Sequence, residues 1–485
     1  MFKSNLIGVL KTFSKQELKE FYLFIQSPVY NTNQSIIKLY DQLKLIYPEF
    51  DEMQSSKKLL FKKAFGNIEY DDSFMRMNVF RLTELVKEFL IYIHLRKNNV
   101  FKTTILLEEL NYRELDTLLK KTLTEQDKKI EKEKAKDSDT YFAKYKLEYY
   151  KNDIKSRDTK MITYKDKLDK DLILEQKYMN INFFINSLKF FQYFLNQKNF
   201  VVNTNGYPDF TGEILKFLGQ NPEYLNEPEL KLYYDLVQLL LTKDEKYFNV
   251  LKKKLFENSD DLKINSKHNL VSVIRNYAQL KIHEGKSEFK DTSFEILKFS
   301  LDKDIITYTP QGNYMTETRF MAVVWSGLIV KKYDFTEKFI KKYIEKIEPD
   351  KRQYVFAYNY AKLEFERGNF SDALKRLEES GKITNVMYKA ATKQLYLMIY
   401  FEMNMYVQAF DLLDSYRHFV KTDKLLPEMY RSQCNTFINF FNRLLKIAES
   451  NGNDSFELKK LIKELGSTSQ LWLLKKAKEI TLTPG

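Results

Sequence analysis

The sequence is poor in the residues that interrupt helices. Its 485 positions hold only 13 glycines and 9 prolines. Glycine costs backbone entropy inside a helix, and proline lacks the amide hydrogen. Their scarcity excludes a turn-rich β protein and favours a helical chain. There is a single cysteine, Cys434, so no internal disulfide can form and a reducing compartment is expected. Cys434 lies in YRSQCNTFINFF, a stretch of helical spacing, and is expected to be a small buried apolar residue.

Long apolar runs are also missing. The longest, Ala322 to Val330, is nine residues and contains Ser326 and Gly327. A membrane span needs about 20. At the N-terminus the run from Leu6 to Leu10 is too short for a signal peptide. The expectation is a soluble, cytoplasmic protein without membrane association.

Catalytic patterns are absent too. The four histidines, His94, His268, His283 and His418, show no i+3 or i+4 pairing, and none lies three residues after a glutamate. A zinc or di-iron helix needs such spacing, so no metal is expected. No glycine-rich phosphate loop occurs. The stretch WSGLIV (Trp325 to Val330) lacks the flanking glycine and preceding strand of a nucleophile elbow. Glu108-Glu109 and Asp71-Asp72 are adjacent in sequence and would face different ways on a helix. No catalysis and no cofactor are therefore expected.

What is present is charge and aromatic bulk. Lys and Arg total 79 against 66 Asp and Glu, a net charge of +13. An excess of this sign suits a nucleic-acid or acidic-lipid partner. However, lysine far outnumbers arginine, and basic residues are interleaved with acidic ones, as in KKIEKEKAKD (Lys128 to Asp137). That pattern reads as a solvated helical surface. The 33 Tyr and 38 Phe fall mostly at core spacing.

The chain divides by pattern. Residues 1–120 read as an N-terminal helical domain. In it Ser14-Lys-Gln-Glu17 forms a capping box, and helices are expected from there to Ser27, from about Gln34 to Pro48, over Ser56–Phe65 and over Asp72–Leu95. The stretch Phe13 to Leu45 could be a helix-turn-helix. Its break, SPVYNTN, is long and contains proline, and its second helix offers few side chains for reading bases, so structural packing is the expectation. Residues 121–138 form a charged connector, either a solvated helix or a flexible hinge. Residues 139–200 read as a helical hairpin region, and 201–227 as loop and boundary, with NTNGYPDFTG and GQNPEYLNEP as turn chemistry. From 228 to 448 helices alternate with short breaks, and 449–485 hold two short C-terminal capping helices, Ser455–Leu465 and Thr468–Ile480.

The most informative stretch is YNYAKLEFERGNFSDALKRLEES, Tyr358 to Ser380. Aligned on the aromatic after its turn, Phe335, Phe370 and Tyr406 lie 35 and 36 residues apart. Phe339, Leu374 and Phe410 follow, then Leu377 and Leu413. Upstream, Trp325, Tyr360 and Tyr396 are equivalent, as are Leu328, Leu363 and Ile399. The spacing predicts a helical hairpin: one helix buries Tyr360 and Leu363, Gly368-Asn369 reverses the chain, and a second helix buries Phe370, Leu374 and Leu377. Ala361 and Ala373 are small where two backbones must approach. One hairpin cannot bury its apolar face alone, so neighbours stack.

Over about Arg319 to Lys421 this pattern resembles the tetratricopeptide repeat, in the small residue at Ala361, the glycine at Gly368, the aromatic at Phe370, the alanine at Ala373 and a period near the family's ~34. It departs from that repeat in lacking a closing proline, and in Glu364, Leu397 and Lys338. The resemblance implies an all-α fold: an α-solenoid of stacked antiparallel helical hairpins, preceded by the N-terminal domain and extended by less regular hairpins at 228–256 and 267–300. An unrelated α-bundle is the alternative. The resemblance also implies a concave groove lined by first helices. Its positions fall at Val323, Gly327, Tyr358, Lys362, Gln394, Met398 and Phe401, with Lys331, Glu366 and Glu402 nearby; the partner-binding candidates are Tyr358, Lys362, Glu366, Gln394, Met398, Phe401 and Lys331. The expected function is a non-enzymatic protein-interaction scaffold or adaptor with a protein or peptide partner. The alternative is a nucleic-acid-associated regulator that binds through a lysine-rich surface. A third reading, a regulator whose first 120 residues sense a signal, finds no effector site in the sequence.

Overall fold

A computed structural model describes residues 5–48, 50, 56–66, 68–157, 165–200, 210–308, 314–450, 455–466 and 470–482. All regular structure among them is helical, with no strand. The chain forms two compact units, one of residues 1–128 and 146–168, the other of 129–145 and 169–485.

The first unit contains α1 (Asn5–Leu10), α2 (Lys15–Gln26), α3 (Gln34–Leu45), α4 (Lys57–Phe65), α5 (Asp72–Lys97) and α6 (Asn99–Tyr112). The division between units falls inside α7 (Asp116–Glu131), α8 (Ser138–Arg157) and α9 (Lys165–Phe200). Local chemistry starts these helices where the sequence says. Ser14 Oγ accepts from the Glu17 amide at 3.1 Å, and Glu17 Oε2 accepts from the Ser14 amide at 2.9 Å. Asn33 caps α3 and Asp71 caps α5 through side-chain oxygens. The segment SPVYNTN joins α2 to α3, which bury Phe21, Phe24 and Tyr40 against Phe89 of α5; the Tyr40 hydroxyl donates to the Leu18 carbonyl at 2.9 Å. Of the two readings of 121–138, the helical one holds as far as Glu131.

The second unit continues with α9 (Lys165–Phe200), α10 (Thr211–Gln220), α11 (Pro228–Thr242), α12 (Glu245–Glu257), α13 (Ile264–His283), α14 (Phe289–Asp302), α15 (Glu317–Ile329) and α16 (Tyr333–Tyr343). Then come α17 (Pro349–Arg367), α18 (Phe370–Glu378), α19 (Val386–Glu402), α20 (Tyr406–Thr422), α21 (Glu428–Glu449), α22 (Ser455–Leu465) and α23 (Leu471–Leu482). Most of NTNGYPDFTG lies outside the described residues. Thr468, expected to begin the last helix, does too.

From α11 to α20 the helices fold back in pairs, and the turn within each pair uses the same device. The residue that reverses the chain is left-handed: Lys243 (φ 54°), Gly285 (φ 86°), Lys331 (φ 56°), Gly368 (φ 86°) and Asn404 (φ 57°). Such a residue exposes the last carbonyls of a helix to the amides that follow. At Gly368 this is visible as amide bonds from Gly368 to Phe365 O (3.1 Å) and from Asn369 to Glu364 O (2.9 Å). Each helix packs on the next, and α11 on α13, α15 on α17 and α17 on α19 pack as well. Ala361, Ala373 and Ala409 are wholly buried at these crossings. Leu397, a departure from the small-residue pattern, is wholly buried too. Glu364, another departure, is buried and satisfied: Arg367 donates to it at 2.8 Å and Asn369 at 2.7 Å.

Candidate functional site

Within the second unit a cavity of about 500 Å³ opens between alternate helices. Each contributes one face, at spacings a helix brings together. From α13 come Arg275 and Gln279, from α17 Tyr358 and Lys362, from α19 Met387 and Gln394, and from α21 Tyr430, Gln433 and Cys434. Met321, Ala322, Trp325 and Leu328 of α15 form much of the apolar wall. Leu297 of α14 and Gln470 complete the lining with Thr318, Val324 and Asn359. Among the described residues no aspartate or glutamate lines it.

The polar groups on the walls differ in how they are satisfied. Lys362 Nζ is 2.7 Å from Glu366 Oε1 and 4.8 Å from the centroid of Phe365, so its charge is met within its own helix. Arg275 is different. Its Nη2 donates to Asn276 Oδ1 at 3.2 Å, while its Nε is out of reach of solvent and has no hydrogen-bond partner among the described residues. Burial, with Arg319 nearby, pulls the Arg275 guanidinium below its ordinary basicity. Arg319 spends one donor on the Tyr308 carbonyl at 2.8 Å and forms no ion pair among the described residues. His268, two turns before Arg275 on α13, is pushed down to about 4 by burial, then by Arg319 and Arg275. The hydroxyls of Tyr358 and Tyr430 make no hydrogen bond among the described residues, nor do the amides of Gln394 and Gln433. Burial raises both phenols further above their usual range. Cys434 is buried, and burial pushes its thiol up, away from the thiolate form.

The structure brings Tyr358, Lys362 and Gln394 together on this cavity, with exposed Glu366 beside them through its ion pair. It sends the other expected residues elsewhere. Met398 and Phe401 are buried; Phe401 lies 5.6 Å from Trp472 and 6.1 Å from Phe441, ring to ring, so both serve the core rather than a groove. Lys331 is the exposed, left-handed residue of the α15–α16 turn, beside a separate depression with Ser287 and Asp291. Val323 is buried, and Gly327 meets Thr336 of α16. Sequence reasoning missed Arg275, Tyr430 and Gln433, because they lie outside the clearest repeats. The i, i+4 spacing of Arg275 and Gln279 on one face was the available signal.

No protein-family model, curated protein or solved structure matches the chain.

Proposed function

We propose that this chain is a non-catalytic binding protein that holds a segment of a protein partner in the cavity, with its helical hairpins stacked as a tetratricopeptide-like solenoid. The observation that carries this is the origin of the walls. First helices of four successive hairpins, α13, α15, α17 and α19, all turn polar or aromatic side chains into one space, joined by α21. In a stacked array such helices form the continuous inner surface, which suits an extended ligand. Side-chain amides without partners suit a peptide backbone, which offers donors and acceptors at regular intervals. Apolar walls around a few placed polar groups are the usual composition of a binding site.

The test is selection of a random 12-residue peptide library against the full chain. The expected result is a set of peptides whose binding is lost in Ala322→Trp, which fills the cavity, while thermal unfolding stays within a few degrees of the parent. A selection that returns nothing, or peptides that bind Ala322→Trp equally well, overturns the reading.

A further inference from the structure

We infer that the cavity selects an acidic segment, with Arg275 taking the carboxylate of an Asp or Glu side chain of the partner. The inference rests on the reading above, that the cavity holds a peptide.

Two other part-buried arginines of this chain are paired with carboxylates, although among the described residues Arg319 is not. Arg367 meets Glu337 at 2.6 Å and Glu364 at 2.8 Å, and Arg443 meets Glu457 at 2.6 Å with Glu464 on its other side. A cation withdrawn from water is costly unless paired, and such pairing is the normal answer. Arg275 is withdrawn without it. Among the described residues its hydrogen-bond partner is the neutral Asn276, no acid lines the cavity, and the charge of Arg319, which acts on it, has the same sign. A fold that gained nothing from this guanidinium would be more stable with an apolar residue there.

The geometry names the missing group. Arg275 lines the cavity, and the planar fork of a guanidinium matches a carboxylate, which accepts with both oxygens. The Tyr358 and Tyr430 hydroxyls and the Gln394 and Gln433 amides supply further donors around it. A monoanion is favoured over a phosphate. One guanidinium lining the cavity neutralises one carboxylate, whereas a dianion would leave charge uncompensated in a cavity whose lining includes Trp325 and Leu328. The chain's net charge of +13 draws acidic segments towards it before contact.

The experiment takes the peptides selected on the full chain and compares each with its Asp→Asn or Glu→Gln analogue. On the parent protein one acidic position is expected to matter by about 30-fold or more, the range for a buried charged pair losing a partner. On Arg275→Gln the acidic and amide peptides should bind within about threefold of each other. Arg275→Lys, which keeps the charge but loses the fork, should fall between them. A second readout is the His268 ring, followed by NMR with labelled histidine. A bound carboxylate offsets the two arginines, so the His268 titration should move up from about 4 with the acidic peptide and stay with the amide. A purely structural Arg275 would move neither. Peptides that bind with no acidic preference overturn this inference and leave the peptide-groove reading standing. A selection that returns no peptide overturns both. Binding of a phosphopeptide or an oligonucleotide with the Arg275 dependence, in place of the carboxylate peptides, overturns the carboxylate assignment.

Discussion

Trp472 and Glu402 stand 70 residues apart in sequence and meet in the fold, the indole Nε1 donating to Glu402 Oε1 at 2.9 Å. Lys476 approaches the other oxygen of Glu402 at 2.6 Å, so one carboxylate at the end of α19 holds two side chains of α23. The indole also lies 5.6 Å from Phe401 and 6.3 Å from both Phe441 and Phe365. The last helix is thus fixed by an aromatic face and a charged edge together.

Trp472→Ala is therefore expected to free the C-terminal helix. The lost packing is about 2–3 kcal/mol, less than for a fully buried tryptophan. Limited proteolysis should cut between α22 and α23 before any other site in the second unit. Glu402→Gln, which keeps an acceptor for the indole but not the charge facing Lys476, should cost about 1 kcal/mol. A proteolytic pattern unchanged by Trp472→Ala would refute the docking role.

A second prediction concerns Gly327. A Cβ there would collide with Thr336 Oγ1 and touch Phe335 at 3.5 Å. Thr336 is wholly buried, and its hydroxyl donates to the Lys332 carbonyl at 2.9 Å. Gly327→Ala should destabilise by about 1–3 kcal/mol through overpacking. Thr336→Ala removes the clashing oxygen, so the double variant should be more stable than the sum of the single effects implies. Chemical denaturation of the four proteins measures the coupling. Strict additivity would show that the two helices do not approach this closely.

Glu337 makes a prediction about pH. Lys341 at 2.6 Å, Arg367 at 2.6 Å and Tyr360 at 2.9 Å all donate to its carboxylate. Led by the Lys341 bond, they pull the group from an ordinary 4.5 down to about 2. A carboxylate whose folded value is lowered stabilises the fold fully above its unfolded value, and the contribution is lost as pH falls through the folded one. Glu337→Gln should therefore cost about 1 kcal/mol at neutral pH, allowing for solvent screening, and progressively less from about 4.5 towards 2. A difference between parent and variant that does not depend on pH across that window would rule out the network as its source.

Much of the secondary structure was legible because its causes are local. The Ser14 capping box and the glycine turn at Gly368 act within a few residues, and the sequence names both; the caps at Asn33 and Asp71 are equally local. Less regular turns were harder. Lys243, Lys331 and Asn404 adopt the left-handed conformation without being glycine, so no residue type announced them. The site was legible in part. Tyr358, Lys362 and Gln394 were placed on one surface by the resemblance to the repeat, but it could not tell that Met398 and Phe401 would be buried, Phe401 against Trp472 and Phe441. That depends on elements distant in the chain.

What the sequence determined by itself is an all-helical chain with its breaks, since propensity, capping and period operate over one or two turns. What only the tertiary structure decided is which charges find partners. Lys362 is neutralised by a glutamate one turn away, while Arg275 has no carboxylate partner among the described residues, although both are basic residues on helices of similar pattern. Pairing depends on where five helices converge, and an electrostatic sum over three dimensions has no counterpart in the order of residues along one.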